Sequence, residues 1–208
     1  NPKKEKIKKY SSYIRNTPPY WNMSAIHFLG CVGHAIILIC IIPLAITRGI
    51  NPITAAGILG AISLISVISR FFGPIFSDYF GSKIVFVISF IGQGIGVLLL
   101  LNAHTIFDFY LFAILWAIPY GGEGGPFPVT NRQYYGYMPM GTIYGWQMLG
   151  AGIGMAVGGM IPGIIFDIYN SYSIAIYISA AFSISGGILV YFLNSTKKTI
   201  IPDWPEIK

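Results

Sequence analysis

Six stretches of this chain, at about residues 24 to 46, 52 to 71, 84 to 101, 106 to 125, 142 to 166 and 173 to 193, are almost wholly apolar and follow one another with little between them. Each holds roughly 20 residues, which at about 1.5 Å of rise per residue crosses a hydrocarbon core of about 30 Å. A soluble protein made of six such helices would have no water-facing side left. The runs lack the period-two alternation of a barrel strand, and in lipid a backbone must satisfy its own hydrogen bonds. The expected fold is therefore all-α and integral to a membrane, with six transmembrane helices. Composition agrees, at 54% hydrophobic and only 10% charged residues.

The charge that exists is placed unevenly. With six spans, both termini and the second-to-third and fourth-to-fifth connections share one side, which carries Lys3, Lys4, Lys6, Lys8, Lys9, Arg15, Lys83, Arg132, Lys197, Lys198 and Lys208, whereas the other side carries Arg48. The positive-inside rule then puts both termini in the cytoplasm of a cell-membrane protein. The net charge of +6 is topological on this reading, and no nucleic-acid partner is expected. The chain divides into a basic cytoplasmic loop over residues 1–22, a six-helix bundle over 23–194 and a cytoplasmic tail over 195–208. Because it opens on Asn1 with no signal-peptide pattern, it is read as a piece of a longer protein. The lysines lead into Tyr10, Tyr13, Tyr20 and Trp21, an aromatic group suited to a membrane interface where anionic lipid attracts basic residues.

Charges inside the spans are costly and so informative. Arg70 ends the run AAGILGAISLISVISR, eight residues before Asp78 and about 12 Å from it along a helix. An arginine at that depth faces protein or a water-filled cavity, or else snorkels to the headgroups. Ser66 and Ser63, one and two turns away, extend a polar stripe that favours the cavity. Glu123 lies among four glycines in IPYGGEGGPFP, near the cytoplasmic end of the fourth span. Two readings of it stand side by side: a carboxylate that exchanges a proton, or a structural ion pair with Arg132 or Arg70.

His27, Cys31 and His34 share one helical face, but two imidazoles and a thiol on one helix do not converge on an ion without a further ligand, so no metal and no cofactor is expected. Cys31 and Cys40, about 13.5 Å apart along one helix, are beyond disulfide reach. Gly150, Gly154 and Gly158 recur every fourth residue in the fifth span, the spacing that lets helix backbones approach in lipid. No nucleophile with its base appears, and an enzyme is not expected.

Asp78, Gly81 and Lys83 follow Arg70 in the pattern R-x7-D-x2-G-x-K. With six spans, YGGEGGPFP, YYGYMPMGTIYGW and GAGIGMAVGGMIPGIIFDIYNSY, this resembles the C-terminal half of a major facilitator superfamily transporter, most closely the monocarboxylate transporter and oxalate/formate antiporter groups. The family's second-to-third turn reads G-x-x-x-D-R-x-G-R-K or close to it. Here Pro74, Tyr79 and Ser82 depart from it. The resemblance implies one half of a twelve-helix fold whose other six helices lie in a missing N-terminal half. It implies secondary active transport of a small organic anion, a monocarboxylate first, by alternating access; of the two readings of Glu123, the proton-exchanging one would couple that transport to protons.

By the same resemblance Arg70 meets the substrate carboxylate. The turn aspartate of the family caps a neighbouring helix, so Asp78, with Gly81 and Lys83, is expected to secure the turn by capping the fifth span near Thr142. From their own polarity and spacing, Ser66, His34, Trp116, Tyr120, Tyr144 and Gln147 are expected to line the cavity with Arg70. The alternatives in view are a transporter-like sensor or receptor and a transporter of an unrelated solute.

Overall fold

The computed structural model describes residues 2–136 and 140–196. The regular elements are helices: α1 (Pro2–Arg15), α2 (Pro18–Thr47), α3 (Pro52–Phe80), α4 (Ser82–Gly96) with a 3-10 extension (Val97–Asn102), α5 (Ile106–Gly122), α6 (Pro126–Tyr135), α7 (Met140–Tyr169) and α8 (Ser173–Tyr191). Local chemistry sets most of the starts. Proline stands in the first turn of α2, α3 and α6, where its missing N–H is not needed. Asn51 accepts the Thr54 N–H at 2.9 Å, and Thr105 and Asp108 cap each other's backbone at the start of α5. The α3–α4 connection is the single residue Gly81, whose φ of +89° suits glycine.

Three boundaries differ from the sequence reading. The basic segment before residue 22 is not a loop: α1 is helical, and α2 starts at Pro18. Tyr10 and Ile14 of α1 are buried against the bundle, and that apolar contact gives the segment a reason to be helical. The second span runs on to Phe80, so Asp78 lies in the last turn of α3 and not in a loop. The fourth span is split. α5 stops at Gly122, a turn covers Glu123 to Gly125, and α6 carries the path on to Tyr135. Gly-Gly-Glu-Gly-Gly-Pro disfavours a continuous helix there. Glu123 is therefore interior to this path and not at its end. Residues 197–208 of the expected tail, including Lys197, Lys198 and Lys208, lie outside the described residues.

Helix α2 is the hub, packing on α7, α8 and α3; α5 lies against α3, and α4 against α8 and α5. Gly150, Gly154 and Gly158 sit where α7 meets α2. A Cβ on Gly154 would run into the Phe28 carbonyl, one on Gly158 into the Val32 carbonyl, and one on Gly150 would come within 3.3 Å of the Ser24 carbonyl. Burial divides the helices sharply. The most apolar stretch of α2 is 67% buried, whereas those of α3 and α7 are each 22% buried and present Leu64, Val67, Ile68, Ile153 and Met160 outward. Among the described residues, five helices are long and apolar enough to cross a membrane, and the broken α5–α6 path packs against α3 and α4 beside them.

Candidate functional site

The break between α5 and α6 gathers the intramembrane charges. Glu123 is buried in it. Its Oε1 lies 3.0 Å from His34 Nδ1 of α2, close enough for an ion pair but off the line of a well-directed hydrogen bond. Gln93 of α4 donates from Nε2 to its other oxygen at 2.5 Å. One carboxylate thus joins the hub helix, the outer helix α4 and the helix break. A buried carboxylate without such partners would face a desolvation cost of several kcal/mol, by order of magnitude.

Of the two readings left open for Glu123, the ion-pair reading named Arg132 or Arg70; in the structure the partner in ion-pair contact is His34. The reason is the burial of the break against α2 and α4, while Arg70 lies on its other side. There Arg70 reaches along the backbone, with Nε 3.7 Å from where a Cβ of Gly124 would stand. Its guanidinium carbon lies 5.8 Å from the Tyr120 ring centroid. Arg70 is exposed at the surface of the bundle, and among the described residues no carboxylate pairs with it.

Tyr120 connects the two charges. Its ring lies 4.9 Å from that of His34 and stacks on Trp116 at 4.9 Å and 13°. Arg70, Tyr120, His34 and Glu123 therefore form one contiguous constellation, with the arginine open and the glutamate sealed beneath it.

A second group lies toward the end of the bundle that carries the chain termini. His27 stacks on Phe127 of α6 at 3.9 Å, with the Tyr144 ring 6.4 Å away. Nearby, Gln147 and Asn131 exchange amide hydrogen bonds at 2.8 and 2.9 Å.

Several expected cavity residues are placed otherwise. Trp116 is 1% exposed and stacks between Phe112 and Tyr120, so it supports Tyr120 from within the core and does not form an open wall. Gln147 is fully buried, its amide already matched by Asn131. Ser66 does not continue a stripe to Arg70. It is buried against Gly121 and donates to the Ser63 carbonyl at 2.8 Å, while Ser63 is exposed and donates to Leu59. Serine hydroxyls in helices commonly turn back onto their own backbone, and the small side chain here serves the close approach of α3 and α5.

At the turn, Asp78 is exposed and makes no hydrogen bond to α7 among the described residues; the expected cap is not formed, because α2 stands between α3 and α7. Lys83 instead caps a helix. Its Nζ donates to the carbonyl oxygens of Tyr191 and Leu193 at the C-terminus of α8, a favourable place for a cation.

Gln93, Phe127 and Asn131 were missed by sequence reasoning. A signal existed for Gln93, the one amide in the apolar run IVFVISFIGQGIGVLLL; nothing in the sequence paired it with Glu123.

The sequence model of the Major Facilitator Superfamily matches residues 5–206, nearly the whole chain. The chain belongs to the major facilitator superfamily. Comparison with curated proteins finds no match. Membership fits what the fold displays: a multi-pass membrane protein whose five membrane-length helices and broken α5–α6 path, among the described residues, are consistent with half of a major facilitator fold, in a family of transporters. The likeness to the monocarboxylate and oxalate/formate groups is finer than this match and rests on Arg70 and its surroundings.

Proposed function

We propose that the chain is part of a secondary active transporter of a small organic anion, a monocarboxylate first, and that Arg70 receives the carboxylate. The observation that carries this reading is an arginine well inside a span-length helix, exposed, unpaired by any carboxylate among the described residues, and backed by an aromatic ring. A free guanidinium presents a planar fork to a carboxylate, and the Tyr120 face steadies it without neutralising it. Tyr120, with His34 behind it, is the nearest side of such a site. Trp116 acts by holding Tyr120.

The bare apolar faces of α3 and α7 support a working unit in which a second six-helix bundle completes the cavity and alternating access arises from movement between the two. Glu123 is the proton-coupling group of this proposal. A proton on its carboxyl would weaken the hold of His34 and act at the helix break, one turn from Tyr120. Cytoplasmic placement of both ends belongs to the same proposal, supported by the eleven-to-one distribution of Lys and Arg outside the spans, Arg70 being within one.

The experiment is uptake and counterflow of a labelled monocarboxylate in vesicles holding the complete transporter, with and without a pH gradient. Parent protein should accumulate the label against its gradient. Glu123→Gln should keep counterflow and lose the response to pH. Loss of both together would make Glu123 structural; absence of any carboxylate flux, with Arg70→Lys no different from the parent, would remove the substrate assignment.

A further inference from the structure

Helix α1 is left over by transport. Four lysines, Lys4, Lys6, Lys8 and Lys9, stand on its exposed surface, and Glu5 is the only acid within the helix. Among the described residues none of these lysines takes part in an ion pair, so the charge is not consumed internally. The face turned away from Lys4, Lys8 and Lys9 is fixed, and Lys6 stands one turn before Tyr10 on that same face. Ile14 is fully buried, Tyr10 is 3% exposed, and the Tyr10 hydroxyl donates to the Tyr135 carbonyl at the end of α6 at 3.0 Å. A helix anchored by one face, with free cations on the rest of its surface, is suited to a polyanion.

What lies next to it selects the polyanion. Only Asn16 and Thr17 separate α1 from α2, which is long and apolar enough to cross a membrane. At this junction Tyr13, Trp21 and Trp146 are all at least half exposed. The Trp21 indole donates to the Arg15 carbonyl at 2.7 Å, and the Arg15 guanidinium lies 5.6 Å over the Trp146 ring. Amphipathic aromatics of this kind settle at the headgroup level of a bilayer. Along the helix Lys8 and Lys9 stand within about 8 Å of Tyr13 and Lys4 and Lys6 within about 14 Å, so the nearer pair lies inside, and the farther pair at the edge of, the range of about 10 Å over which a surface charge acts at moderate salt.

We infer that α1 is a docking surface for anionic lipid headgroups, gripping their phosphates with Lys4, Lys6, Lys8 and Lys9 while Tyr10 and Ile14 tie it to the bundle. The occupant is lipid and not a soluble acidic partner, because the aromatic collar sets the helix at the membrane surface, where headgroup phosphates are already concentrated. The inference is independent of the transported solute.

The test uses the full chain in nanodiscs of phosphatidylcholine alone or with about one-third phosphatidylglycerol. A fluorophore is placed at Ser12→Cys, an exposed position on α1; the native Cys31 and Cys40 are buried. Quenching by acrylamide, a neutral molecule that the headgroup charge does not repel, reports the exposure of the label. Anionic lipid should reduce quenching about threefold or more, and about 0.5 M NaCl should restore it. The combined variant Lys4→Gln, Lys6→Gln, Lys8→Gln, Lys9→Gln, with Tyr10 and Ile14 intact, should show no lipid response while keeping its helical circular dichroism. Equal quenching in both lipids would overturn the inference, as would a lipid response unchanged in the glutamine variant. Protection by inorganic phosphate in phosphatidylcholine discs would reassign the surface to a free anion, and protection by polyglutamate alone to an acidic protein.

Discussion

Arg70 and Glu123 meet at the same helix break, yet the structure treats them in opposite ways. Glu123 is buried, held by His34 from α2 and Gln93 from α4. Arg70 is exposed, lies over the open side of Gly124 and has an aromatic ring, not a carboxylate, as its neighbour. The difference teaches what each charge is available for. A sealed and fully partnered carboxylate is bound up with the integrity of the bundle, so any proton it takes must alter packing. An open guanidinium costs the fold little and retains its capacity for a ligand.

The sharpest way to break this contrast is to remove the partner of the sealed charge. His34→Ala should leave the buried Glu123 carboxylate without its imidazole partner and destabilise the bundle by about 3–5 kcal/mol, read as a fall in the thermal midpoint of the purified chain in detergent. Combining it with Glu123→Gln should recover much of that loss. A His34→Ala protein as stable as the parent would mean that the glutamate is not held as an ion pair.

Arg70→Ala should behave the other way in the same assay, changing stability by no more than about 0.5 kcal/mol, because no buried partner is abandoned. Its effect belongs to binding: Arg70→Lys keeps the charge, loses the planar fork, and should weaken carboxylate binding about tenfold in isothermal titration of the complete transporter. If lysine binds as tightly as arginine, Arg70 is a snorkelling anchor and the contrast loses its functional half.

Smaller effects test the turn. Lys83→Ala removes a cation from the end of α8 and should cost about 0.3–1 kcal/mol. Asp78→Asn, which leaves no hydrogen bond unmade, should stay within about 0.5 kcal/mol in stability, so any slowing of exchange it causes would report on conformational cycling alone.

Much of this was legible in the chain itself. Apolar runs of about 20 residues specify membrane helices because lipid offers the backbone no other partner, and six of them in short succession specify a bundle. Gly150, Gly154 and Gly158 mark a line of close approach by their spacing alone, since one face of a helix repeats every three to four residues. The same physics singled out Arg70 and Glu123, because an ionisable group among apolar residues is too expensive to be idle.

Which partners those charges took could not be read from one dimension. That His34 and not an arginine faces Glu123, that Gln93 reaches it from α4, and that Trp116 and Gln147 are sealed while Arg70 stays open all follow from how α2, α4 and the α5–α6 break pack together. Sequence periodicity gives the face of a helix but not its neighbour. α1 makes the same point: its lysines advertised a loop, but the burial of Tyr10 and Ile14, with Tyr10 tied to Tyr135 more than a hundred positions away, made it a helix held to the bundle with its lysines exposed. Hydropathy is a property each segment carries with it. Pairing, burial and exposure arise only when segments distant in the chain compete for the same space.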